Sequence, residues 1–96
     1  SHGHAVAIGM HLIAKVAEEK GMAEAGLAEK IRKALKNNNL PVSIDYSAEE
    51  ITEGVLKDKK RRGGEISFVF PTKIGHCEIV KIPVEEVTEL VEKALQ

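Results

Sequence analysis

Glu65-Ile66-Ser67-Phe68-Val69-Phe70-Pro71-Thr72-Lys73-Ile74-Gly75-His76-Cys77-Glu78-Ile79-Val80-Lys81-Ile82 is the stretch that decides the fold. Here the apolar spacing changes from 3.6 to 2: Ile66, Phe68 and Phe70 alternate with Ser67 and Val69, as on a strand with one buried face. Pro71 to Gly75 supplies a turn and His76 to Ile82 a second extended run, so the segment predicts an antiparallel hairpin. The rest of the chain carries helical periodicity. The expected fold class is mainly α, about four helices plus one antiparallel β-hairpin.

Downstream of the hairpin, Pro83 sits where a first helical turn tolerates a missing N–H. Val84, Val87, Val91, Ala94 and Leu95 then give a last helix its buried stripe. Upstream, Ser47-Ala48-Glu49-Glu50 matches a capping box, in which Ser47 serves the orphan amides and Glu50 reaches back. The short helix it starts points Ile51 and Val55 inward and ends near a basic cluster. Before it, Glu24 to about Asn37 reads as an amphipathic helix with Leu27, Ile31, Ala34 and Leu35 on one stripe. Asn37-Asn38-Asn39 and Pro41 stop it.

The first helix spans Ala5 to Lys20 and ends at Gly21, a residue suited to a left-handed C-terminal cap. Its first half, with Ala5, Val6, Ala7, Ile8, Met10, Leu12 and Ile13, is apolar nearly all round. Such a helix expects burial on every side, and few elements are at hand to surround it. The expectation is that residues 1–96 form one domain of a larger protein. The face around Val6, Ile8, Leu12 and Ile13, meant for a missing partner, is then an apolar patch through which the isolated chain self-associates.

Composition excludes several function classes. The chain is 43% hydrophobic and 30% charged, the balance of a soluble globular domain. Its net charge of −1, from 14 basic and 15 acidic residues, creates no field to draw nucleic acid or anionic lipid. Tyr46, Phe68 and Phe70 are too few aromatics for base stacking. A single Cys77 permits no internal disulfide and suits a reducing compartment. No apolar run is long enough to span a membrane, and a cytoplasmic protein is the simplest reading.

The histidines are the first candidates for chemistry. If helical, His2 and His4 point about 200° apart and share no metal ion. His4 and His11 share a helix face but sit roughly 10 Å apart along the axis. His76 and Cys77 are strand neighbours facing opposite sides, and Cys77 reads as a packed core residue. No complete metal site can be written from these spacings, because a catalytic zinc takes three protein ligands. Ser1-His2 also reads as the remnant of a cleaved tag.

The second candidate is the cluster Lys57 to Arg62. Cations at a helix C-terminus complement its dipole, and a charge run marks a solvated face. Gly9 reads as a position where the helix approaches another backbone closely, and Gly75 as a turn glycine.

In order along the chain stand His2-Gly3-His4-Ala5-Val6-Ala7-Ile8-Gly9-Met10, the Leu40-Pro41 break, and Asp58-Lys59-Lys60-Arg61-Arg62-Gly63-Gly64. The Phe-rich strand and Ile74-Gly75 follow. Together they resemble the C-terminal domain of 3-dehydroquinate synthase, over essentially the whole chain. Each motif alone is weak; the ordered set is specific. The resemblance implies a C-terminal domain severed from an NAD-binding N-terminal domain. It implies that His2 is one of three zinc ligands, the family's His-Gly-Glu being His2-Gly3-His4 here, so that any hydrogen bond from the Glu is lost. It also implies that a lysine of the Asp-Lys-Lys triplet contacts the phosphorylated substrate: Lys59, with neighbouring Lys60 as the alternative.

The implied activity of the parent is the shikimate-pathway lyase reaction that converts 3-deoxy-D-arabino-heptulosonate 7-phosphate to 3-dehydroquinate and phosphate, with NAD and zinc or cobalt. The isolated chain is expected to be inactive and to bind neither cofactor tightly. Two rivals stand beside this reading. One is another sugar phosphate cyclase, such as a 2-deoxy-scyllo-inosose synthase-like enzyme. The other is a free-standing helical interaction module whose basic turn binds an acidic partner.

Overall fold

In the computed structural model, which describes residues 2–53 and 64–96, the hairpin is the platform on which the helices pack. Strand β1 (Glu65–Lys73) pairs antiparallel with β2 (His76–Pro83) in a two-stranded sheet. Ile66 lies opposite Ile82 and Phe68 opposite Val80, so these four side chains share the face turned to the helices. Phe70 is 1% exposed and its ring stacks on Phe68 at a centroid distance of 5.7 Å. The strands run further than the sequence suggests: β1 continues through Pro71 and Thr72 to Lys73, leaving only Ile74 and Gly75 in the turn. Gly75, at φ +86°, takes the left-handed position that such a tight connection requires.

The helices are α1 (His2–Glu19), α2 (Leu27–Asn37), α3, described over 48–53, and α4 (Val84–Leu95). The mainly α class with one hairpin is borne out. Val16 and Ala17 of α1, Ala48 of α3, Phe70 and Ile82 of the sheet, and Val84, Val87, Val91 and Ala94 of α4 form one buried cluster. Four of the five residues of the stripe read on α4 are therefore its core face, and the fifth, Leu95, is half-buried against it. Ala14 and Ala17, both fully buried, let α1 lie close to its neighbours.

Two helix starts differ from expectation. α1 begins at His2, three residues before Ala5; the first-turn N–H groups need no intrahelical partner, so His2, Gly3 and His4 extend it without leaving a donor that the helix would otherwise have to satisfy. α2 begins at Leu27, not at Glu24. The Glu24 N–H is held by the Thr72 carbonyl of β1 at 3.0 Å, and Gly26 adopts φ +90°, so the chain is tied to the sheet edge before it can turn.

The caps read from local sequence are present. Gly21, at φ +76°, ends α1, with Met22 N–H on Ala17 O and Gly21 N–H on Glu18 O, both at 3.0 Å. This is the paired bonding of a Schellman motif. Ser47 and Glu50 form both arms of the capping box, Glu50 N–H to Ser47 Oγ at 3.1 Å and Ser47 N–H to Glu50 Oε1 at 3.0 Å. On α3, however, Thr52 is the buried residue and Ile51 only half-buried. The Thr52 hydroxyl donates to Ala48 O at 2.8 Å and accepts from Thr88 Oγ1 at 3.1 Å, which makes it tolerable inside. Val55 lies outside the described residues.

Cys77 is exposed, contrary to the core role read for it. It pairs with Pro71 on the sheet face that also carries Val69 and Ile79. Helices pack mainly on the other face; on this one Met10 and Ile13 of α1 and Ile31 of α2 border Val69, Pro71 and Cys77, and Val69 and Ile79 stay 57% and 73% exposed.

Candidate functional site

Helix α1 carries His2, His4 and His11, and the structure gives each a different situation. His2 and His4 are exposed on the first turn. Both being helical, they project about 200° apart, so the chain's leading end offers one imidazole to any single ion. His4 belongs to a groove of about 390 Å³ bounded by Ala5, Ile8, Gly9, Leu12, Tyr46 and Ile51. Tyr46 comes from the segment that crosses α1 after Pro41.

His11 is buried, and its Nδ1 lies 2.9 Å from the Val42 carbonyl. A carbonyl only accepts, so Nδ1 carries the proton. The bond pins the crossing segment to α1, which makes His11 a structural histidine. In sequence it stood out only by its distance from His4; no local spacing links it to Val42, thirty-one positions away.

The apolar patch expected at Val6, Ile8, Leu12 and Ile13 is narrower than the sequence suggests. Leu12 and Ile13 pack against the core and Ile8 is half-buried. Val6, at 45% exposed, and Met10, at 47%, are what α1 leaves uncovered. Gly9 is corrected too: among the described residues, nothing lies within 4 Å of where its Cβ would be. Its missing side chain opens space and permits no close backbone contact.

Lys59, its alternative Lys60, and the flanking Asp58, Gly63 and Arg62 lie outside the described residues. Among the described residues, no group of three or more His, Cys, Asp or Glu could hold a metal ion. His76 faces Glu78 on its own strand at 3.6 Å.

Sequence reasoning missed one polar device altogether. Glu18, on the last turn of α1, reaches the start of α2: Oε2 accepts the Ala28 N–H at 2.6 Å and Oε1 the Gly26 N–H at 3.1 Å. A carboxylate there satisfies orphan donors and meets the positive end of the helix dipole. Capping rules look within a few residues of a helix start, and Glu18 is ten positions from Ala28.

Comparison with known proteins places these elements. A profile described as 3-dehydroquinate synthase C-terminal matches residues 1–61. The chain is 36% identical to the 3-dehydroquinate synthase of Sulfurisphaera tokodaii and 38% identical to that of Sulfolobus acidocaldarius; each match covers 99% of this chain and 28% of the relative. The 3-dehydroquinate synthase of Enterococcus faecalis is 38% identical over 91% of this chain and 25% of its own length. The chain thus spans between 25% and 28% of the length of these relatives. No described helix is long and apolar enough to cross a membrane.

Proposed function

The chain belongs to the 3-dehydroquinate synthase C-terminal family, and on that ground we propose that residues 1–96 are the C-terminal, mostly helical domain of a cytoplasmic 3-dehydroquinate synthase. The observation that carries the proposal is that similarity to enzymes of that one name runs along 99% of the chain. It favours this reading over a different sugar phosphate cyclase or a free-standing interaction module. The proposed reaction takes 3-deoxy-D-arabino-heptulosonate 7-phosphate to 3-dehydroquinate and phosphate.

His2 is an exposed imidazole, a donor of the kind zinc or cobalt takes, and it stands on the first turn of α1, a helix anchored further along by the buried Ala7, Ala14 and Ala17. The donor chemistry fits one ligand of a metal; the others required for a catalytic site would come from residues outside this chain. A metal held there supplies Lewis-acid polarisation of the reacting hydroxyl. NAD fits no described residues of this chain, and among them none forms a glycine-rich strand-to-helix turn of the nucleotide-binding type. We assign it to a separate N-terminal domain.

Lys59 is the proposed substrate contact, with Lys60 its alternative. A lysine ammonium is a compact charge that a phosphate or carboxylate approaches from several directions. Helix α1 and the segment carrying Tyr46 form one wall beside His4, and the separate domain would form the other. Without that wall, the isolated chain cannot position substrate and is inactive. Val6 and Met10, left exposed on α1, are where it would self-associate, which sedimentation velocity reads directly.

The test is a chimaera in which this chain replaces the matching C-terminal part of the Sulfurisphaera tokodaii enzyme. It should release phosphate from 3-deoxy-D-arabino-heptulosonate 7-phosphate, and Lys59→Ala should raise KM for that substrate. A folded chimaera with no turnover would refute the assignment.

A further inference from the structure

Between α1, α3, the inner face of the hairpin and α4 lies an apolar cavity of about 120 Å³, walled by Leu12, Val16, Phe68, Phe70, Ile82 and Val91. Among the described residues, Thr52 is the one polar side chain in its walls. Its hydroxyl already donates to Ala48 O and accepts from Thr88, so it has little left to offer a water molecule. A water needs two to four polar partners to enter such a space, whereas a comparable cavity lined by Leu, Ile and Phe stays dry and takes up benzene or xenon.

The cavity has an identifiable mouth. Gly9, Leu12 and Ile51 border both this cavity and the surface groove that runs past His4 and Tyr46. At Gly9 a Cβ would meet no described atom within 4 Å, so the absent side chain leaves the passage between the two spaces open. Glycine in a helix interior carries a conformational penalty against alanine, yet here nothing crowds the position to require it.

We propose that this cavity is a binding site for a single uncharged aromatic ring, entering from the groove past Gly9 and stacking its apolar faces among Leu12, Phe68, Phe70 and Val91. The ring buries the apolar side chains that line the cavity, and loss of contact atoms around a void is what makes it attractive to a guest. Gly9 thus sets access, and Thr52 keeps the interior dry by consuming its own hydrogen bonds. The site depends on neither a metal nor the proposed reaction.

The experiment uses the 96-residue chain with benzene and xenon as probes, followed by methyl chemical shifts of Leu12, Ile13, Leu90 and Val91. The wild type should show saturable shifts with both probes, confined to these methyls. Gly9→Leu, which removes a helix glycine and fills the mouth, should weaken benzene binding at least tenfold while leaving xenon, small enough to occupy the deep end, bound. Absence of saturable xenon shifts in the wild type overturns the cavity. Benzene binding unchanged in a folded Gly9→Leu chain overturns the entry route and with it the proposal.

Discussion

Glu18 caps α2 from α1: its Oε2 takes the Ala28 N–H at 2.6 Å while Oε1 takes the Gly26 N–H at 3.1 Å. One side chain thereby joins the end of the first helix to the start of the second, across the turn that begins at Gly21. The bond substitutes for the Ser, Thr, Asp or Asn that helix starts usually carry. The residue in that place is Gly26, which makes no side-chain cap. Replacing Glu18 by Ala should cost about 1–2 kcal/mol, read as a lowered urea midpoint with unchanged m. An unchanged midpoint would show that water replaces the carboxylate at no cost.

The far end of α2 makes a second, opposite prediction. Asn39 sits at φ +61°, with its N–H on Lys36 O and the next N–H, of Leu40, on Leu35 O, each at 3.0 Å. These are the two bonds of a Schellman cap, with Asn at the position glycine prefers. Asn39→Ala forces a Cβ without a compensating polar group into the left-handed region and should destabilise by about 1 kcal/mol. Asn39→Gly should leave stability equal or raised. Thermal denaturation of the pair decides it, and the reverse order would contradict the cap.

Two carboxylates set an acid-side dependence. The Ser47 N–H donated to Glu50, helped by the Ser47 hydroxyl, holds that carboxyl below its ordinary value of 4.5. The Arg32 Nε–H, 2.6 Å from Glu29, does the same for Glu29. A depressed folded pKa means the native state binds protons less readily than the unfolded one. The stabilisation is complete above about pH 4.5 and is lost as pH falls through the lower folded values. The midpoint difference between wild type and the Glu29→Gln, Glu50→Gln variant should be constant from neutrality to pH 5 and shrink below it. A difference that stays constant to pH 2 would mean these carboxylates are not coupled to folding.

The hairpin has one structural face, and substitutions should report it. Phe70 is 1% exposed and Ile79 is 73% exposed, on opposite sides of the sheet. Phe70→Ala should cost about 3–5 kcal/mol, a large part of the stability of a chain this size. Ile79→Thr should change stability by no more than about 0.5 kcal/mol. Chemical denaturation measures both; comparable losses would place a covering element over the outer face.

Much of the fold was legible because it is written locally. Gly21, the Ser47–Glu50 box and the alternation of Ile66, Phe68 and Phe70 each act within a few residues, and each is found as read. The start of α2 was not legible, since Glu24 is captured by Thr72, a strand residue nearly fifty positions on. Cys77 was misplaced for a related reason: alternation tells which residues share a face, but not which face the helices will cover. Gly9 was misread because open space and close approach leave the same residue in the sequence. Of the candidate site, the one-imidazole character of the leading end followed from helical periodicity, once His2 proved to be in α1. The role of His11 did not, because Val42 is brought to it only by the tertiary crossing. Lys59 lies outside the described residues, so its assignment continues to rest on the Asp-Lys-Lys pattern.

The central claim is that His2 delivers a metal ligand at the leading edge of α1, and metal content measures this most directly. In the chimaera with the Sulfurisphaera tokodaii enzyme, zinc per chain after dialysis should be stoichiometric, and His4→Ala should leave it so. His2→Ala should lose the metal and the phosphate release together while the fold, by circular dichroism, is unchanged. Full zinc retention in the His2→Ala chimaera would contradict the account.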